Sequence, residues 1–141
     1  MPHIHQYFTA DHQRLDCLYH AFKALLARGE NTCINYFDKF SQDLIRHIYW
    51  EEKVLFPFFE SKSGITAGPT RVMRAEHQDI ISNLVAIKEK LATANIEHML
   101  ELDALETLLS EHNQKEEQVL YPMIERFCQP EDSAKLFLAM R

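Results

Sequence analysis

One stretch of the chain occurs twice, and it constrains the fold more than any other feature. His47-Ile48-Tyr49-Trp50-Glu51-Glu52-Lys53-Val54-Leu55-Phe56-Pro57, closed by Glu60, returns as His112-Asn113-Gln114-Lys115-Glu116-Glu117-Gln118-Val119-Leu120-Tyr121-Pro122, closed by Glu125. Every identity lies 65 positions from its partner, and the same offset pairs Ala10, His12 and Gln13 with Ala75, His77 and Gln78. A single shared offset is the register of an internal repeat, not a coincidence of composition. The repeating unit is about one helical hairpin, used twice.

Apolar spacing assigns the elements. Phe8, His12, Leu15, Tyr19, Phe22 and Leu26 step alternately by four and three, the spacing of one helix face, and this first helix ends near Arg28-Gly29. Asn31 or Thr32 caps the second, whose seam reads Phe37, Phe40, Leu44, His47, Glu51, Val54, Phe58. Pro57 lies inside it and is expected to bend it just beyond the repeated motif. The stretch from Ser63 to Pro69 holds two of the three glycines and joins the halves. Helix three reads Met73, His77, Ile80, Leu84, Ile87, Leu91, and helix four Leu102, Leu105, Leu109, His112, Glu116, Val119, Met123. Pro130 ends helix four, and Asp132 or Ser133 starts a short helix through Leu136 and Leu138. No strand-like alternation competes. The spacing predicts an all-α fold: an antiparallel up-down four-helix bundle with a short extra C-terminal helix, built from a duplicated hairpin.

Size and composition bound the rest. At 141 residues, 46% of them apolar, residues 1–141 are expected to form a single domain with a real core. No apolar run approaches the length of a membrane span, and Met1-Pro2-His3-Ile4-His5-Gln6 has no basic flank or apolar region of a secretion signal, so a cytoplasmic protein is expected. Cys17, Cys33 and Cys128 form no Cys-x-x-Cys and read as reduced thiols. A formal net charge of −6 with no basic stripe argues against nucleic-acid binding.

The four seams place His12, His47, Glu51, His77, His112 and Glu116 where leucines belong. Glu is almost never fully buried without a partner or a metal, so something must neutralise Glu51 and Glu116. In each repeated stretch His and Glu stand four residues apart on one inward face, and the first and third helices each add one imidazole. Four imidazoles and two carboxylates form a nitrogen and oxygen ligand set that suits iron, with zinc or manganese chemically possible. Two metals fit better than one: by symmetry, the carboxylates bridge and each metal takes two imidazoles. A lone His on an apolar face is more often a satisfied core residue, but two identical motifs and two further His in one register reverse those odds.

At these residues the chain resembles the hemerythrin-like, or HHE cation-binding, family over essentially its whole length. That family's pattern is His on the first helix, His-x-x-x-Glu on the second, His on the third and His-x-x-x-Glu on the fourth, matched by His12, His47 with Glu51, His77, and His112 with Glu116. The resemblance implies a non-haem di-iron centre, two irons per chain, that meets a small oxidant: dioxygen, peroxide or nitric oxide. Peroxide- or oxygen-consuming oxidoreductase activity, a role in oxidative or nitrosative stress defence, and a sensing or binding module without turnover all stay open. So does a homo-oligomer.

The chain departs from the oxygen-carrying hemerythrins at Met73, where those carry a further His one turn before the third-helix ligand. A thioether is a poor ligand for such iron, so reversible oxygen carriage is not expected and both irons are expected to be open. His5, three residues before Phe8, is the best candidate for a fifth imidazole. His3, His20 and His98 read as surface residues. Glu52 and Glu117 point a quarter-turn off the seam, which fits either a hydrogen bond to a ligand imidazole or a solvated flank. Tyr49 and Trp50 have no aromatic counterparts in the second half and mark a packing contact with the terminal helix or a subunit interface.

Overall fold

The computed structural model describes residues 3–93 and 100–141. Four long helical segments form a bundle: α1 (Ile4–Ala27), α2 (Cys33–Trp50) with its extension, α4 (Pro69–Ala92) and α5 (Leu100–Lys115) with its extension. No strand occurs among the described residues, and no described helix is long and apolar enough to cross a membrane. α1 packs along α2 and α4 along α5, which are the two hairpins of the repeat.

The extensions hold the main departure from the sequence reading. α2 passes through one π turn (Glu51–Leu55) into α3 (Phe56–Ser63), and α5 through a second π turn (Glu116–Leu120) into α6 (Tyr121–Glu125). The Phe56 N–H bonds to the Glu51 carbonyl and the Tyr121 N–H to the Glu116 carbonyl, five residues back in each case. Proline explains the position of both turns. Pro57 and Pro122 have no N–H to give to the carbonyl four residues earlier, and their rings crowd it, so the backbone widens there. Where a bend is expected, the structure inserts one residue.

That residue shifts the seam. Beyond Glu51 the buried residues are Leu55, Phe56 and Phe59, not Val54 and Phe58; beyond Glu116 they are Leu120, Tyr121 and Ile124, not Val119 and Met123. Val119 is 54% exposed. Upstream of the π turns every inward position of α2, α4 and α5 named from the sequence is buried, and in α1 all but Leu26, which is partly buried against the core.

Two apolar clusters result, one on each side of a polar layer. Leu15, Tyr19, Phe22, Phe37, Phe40, Leu44, Ile80, Leu84, Leu105 and Leu109 belong to the first. The second gathers Ile4, Phe8, Leu55, Phe56, Phe59, Met73, Leu120, Tyr121 and Ile124, capped by Leu136 and Met140. α7 (Pro130–Ala139) starts earlier than Asp132 or Ser133: Pro130 opens it, after Gln129 at the cap, while Leu138 is 61% exposed. At the start of α2, Thr32 occupies the cap position without a side-chain bond. Trp50 packs against Tyr7, which in turn packs edge-on against Phe137 of α7; Tyr49 is exposed. His3 and His20 are exposed, and His98 lies outside the described residues.

Candidate metal centre

Each residue singled out from the seams arrives in the polar layer. His12, His47, Glu51, His77, His112 and Glu116 are all at most 3% exposed. Glu51, His77, His112 and Glu116 bring one ligand atom each to within 4.8 Å of one another, and so do His12, His47 and Glu116. Glu116 is shared: its Oε1 lies 3.2 Å from His12 Nε2 and 3.2 Å from His112 Nε2. Glu51 Oε1 lies 3.2 Å from His77 Nε2 and 3.6 Å from His47 Nε2. Both carboxylates thus face both imidazole pairs. His5 is in neither group; its ring stands 6.3 Å from that of Tyr121.

The far side of every imidazole is fixed in the same way. His12 Nδ1 donates to Glu117 at 2.7 Å, His47 Nδ1 to Asp11 at 2.8 Å, His77 Nδ1 to Glu52 at 2.6 Å and His112 Nδ1 to Glu76 at 2.8 Å. A carboxylate only accepts, so the proton sits on Nδ1, and in a neutral ring the Nε2 lone pair is left pointing into the layer. Glu52 and Glu117 are therefore hydrogen-bond partners and not solvated flanks. Asp11 and Glu76 went unnoticed in the sequence, although they too are 65 positions apart and immediately precede His12 and His77. Arg14 braces Asp11 through a 3.0 Å bond, and Lys115 braces Glu76 at 2.6 Å.

A third residue type enters the layer. Tyr121 Oη lies 2.7 Å from Glu51 Oε2, 3.0 Å from Glu116 Oε1, and 3.3 Å from both His12 Nε2 and His47 Nε2. An α-helical seam counts three or four residues on from Glu116 and misses position 121. The π turn brings the fifth residue onto the same face. The conspicuous sign in the sequence was that Tyr121 aligns with Phe56, an oxygen gained at one site of the repeat.

The residues present fit a cation. Glu51 Oε1, Glu116 Oε2 and His77 Nε2 are buried without any hydrogen-bond partner among the described residues. Buried polar atoms rarely stay orphaned, and here they converge as acceptors around a space with no donor to serve them. Without a metal, protons must fill the gap. Burial disfavours the charged form of His12, but bonds to Glu116 and Glu117 outweigh it and raise its pKa to about 10. His112, likewise opposed by burial, is raised to about 9 by the charge of Glu116. Burial and the neighbouring Glu116 charge push the Glu51 carboxyl up, whereas Glu116, pushed up by burial, ends low through its bonds to Glu51, His112 and His12.

A helical bundle with a buried, carboxylate-braced set of imidazoles and glutamates defines a metal-binding domain. The family model of the hemerythrin HHE cation binding domain matches residues 3–124, and the chain belongs to that family. Comparison with the curated proteins and with the solved structures gives no match.

Proposed function

We propose that this chain is a non-haem di-iron protein that binds or reacts with a small oxidant, dioxygen, peroxide or nitric oxide. The observation that carries the reading is the convergence of four Nε2 atoms and two fully buried carboxylates, with every Nδ1 already bonded to a carboxylate. Six carboxylates surround or line the layer and only two of them are braced by cations, Arg14 and Lys115, so the layer holds an excess of acidic groups that bound cations would balance.

His12 and His47 would hold one metal, His77 and His112 the other, and Glu51 and Glu116 would bridge them. The donor set suits iron, and zinc or manganese are chemically compatible. When bound, iron supplies the redox chemistry that imidazole and carboxylate side chains lack. The protein orients the imidazoles through Asp11, Glu52, Glu76 and Glu117, and the apolar clusters on either side keep bulk water from the layer.

Metal analysis tests the proposal. Protein expressed in iron-replete medium is expected to carry near two irons per chain, with an oxo-to-iron absorption band that azide or peroxide alters. Stoichiometric zinc without iron would refute it. Added peroxide separates an enzyme from a sensor: sustained consumption marks turnover, and stoichiometric bleaching marks binding alone.

A further inference from the structure

The two halves differ by one oxygen at the centre. Phe56 and Tyr121 occupy equivalent places, each just after a π turn and five residues beyond a buried glutamate. Phe56 stacks on His77, with ring centroids 6.0 Å apart and planes 5° from parallel, and brings no polar atom. Tyr121 brings its hydroxyl to the His12 and His47 side. There its oxygen lies 2.7 to 3.3 Å from two carboxylate oxygens and two imidazole nitrogens.

These separations suit atoms that share an ion. Ligands bonded at about 2.0–2.1 Å to one metal stand about 2.8–3.4 Å from each other in tetrahedral or octahedral arrangements. Resting on the two-metal reading above, we propose that Tyr121 Oη is a direct ligand, as phenolate, to the metal held by His12 and His47. On loading, the Tyr121 O–H bond breaks, its proton leaves to solvent with those displaced from the imidazoles, and an oxygen–metal bond forms; no electron is transferred.

The two metal positions then cease to be equivalent. The His12 and His47 metal gains a third kind of protein donor. The His77 and His112 metal faces Phe56, with Met73 one turn before His77, and keeps the vacant position for a small ligand. On this proposal the two irons are not equally open, unlike the arrangement expected from the sequence.

Resonance Raman spectroscopy of the ferric-loaded protein tests the assignment. Excitation in the visible charge-transfer band is expected to enhance tyrosine ring modes in the wild type. They should vanish in Tyr121→Phe and persist in Tyr19→Phe, whose hydroxyl donates to the Leu102 carbonyl away from the layer. Tyr121→Phe should fold, because Phe already occupies the equivalent place at position 56, and its spectrum is read per bound iron. Protein grown with ring-deuterated tyrosine should shift the enhanced modes, a readout that needs no variant. Two irons per chain without tyrosine modes, or modes that survive Tyr121→Phe, overturn the assignment and leave the di-iron reading standing. A chain that takes up no iron overturns both.

Discussion

Glu52 Oε2 lies 2.6 Å from His77 Nδ1, so a carboxylate of the first half sets the ring of an imidazole in the second. The 65-residue offset turns this pair into Glu117 with His12, which reaches back the other way. The partners of His47 and His112, by contrast, come from within their own halves. Two of the four imidazoles are thus oriented only when the hairpins are docked.

Removing such a partner should weaken metal binding without removing a ligand. Glu52→Ala leaves His77 free to rotate and lowers its basicity, so affinity is expected to fall about 10–100-fold. Glu52→Gln, which keeps an acceptor without the charge, should lose less. Competition against a calibrated chelator measures both, and equal affinity in wild type and Glu52→Ala would count against the orienting role.

On the two-metal proposal, Met73 is the point at which the metal position held by His77 and His112 can be closed. It is 3% exposed and one turn before His77 on α4, so Met73→His offers a third imidazole to that metal. Without metal the new buried imidazole lacks a partner and should destabilise the protein by about 1–3 kcal/mol. Metal should restore much of that loss, slow autoxidation and suppress azide binding. Parallel melts of metal-free and loaded protein, with azide titrations, check this; unchanged azide binding would place the open position elsewhere.

The π turns make a prediction that an uninterrupted helix would reverse. Val119→Lys should change stability by no more than about 0.5 kcal/mol, because Val119 faces solvent. Leu120→Ala should cost about 2–5 kcal/mol, because Leu120 is 1% exposed among Ile124 and Tyr121. Urea denaturation of the two variants decides the register.

Glu60 ties the end of α3 to the start of α4, accepting from Thr70 at 2.7 Å and from Arg74 through both carboxylate oxygens. The Arg74 guanidinium holds its carboxyl below the ordinary value of 4.5, with burial opposing. A carboxyl whose pKa is lower in the folded than in the unfolded chain stabilises above the unfolded value, and that contribution disappears as pH falls through the folded one. Glu60→Gln should therefore cost about 1–2 kcal/mol at pH 7, and the difference from wild type should shrink as the pH drops below about 4.5. Denaturation midpoints at pH 7 and pH 4 give the comparison.

Much of this was legible in the sequence because helix periodicity and the repeat carry the same information twice. Four seams and one offset placed His12, His47, Glu51, His77, His112 and Glu116 in the interior, and the structure buries all six. What escaped depends on departures from that periodicity. Val54 and Val119 looked inward because a seam is extended by adding three or four, and a π turn adds five. Tyr121 was hidden by the same step. Asp11 and Glu76 were hidden differently: they sit beside the seam, where an acidic residue usually means solvent, and only the docked neighbour shows that an imidazole stands within reach.

Phe56 and Tyr121 give the repeat a meaning beyond economy of sequence. Two identical hairpins meeting about a twofold axis would be forced to build two identical metal environments, since any change in one copy appears in both. Joined in one polypeptide, the copies can mutate separately. With Tyr121 a ligand as proposed, a single hydroxyl is enough to divide the labour, with one position anchored and the other left to receive a visitor.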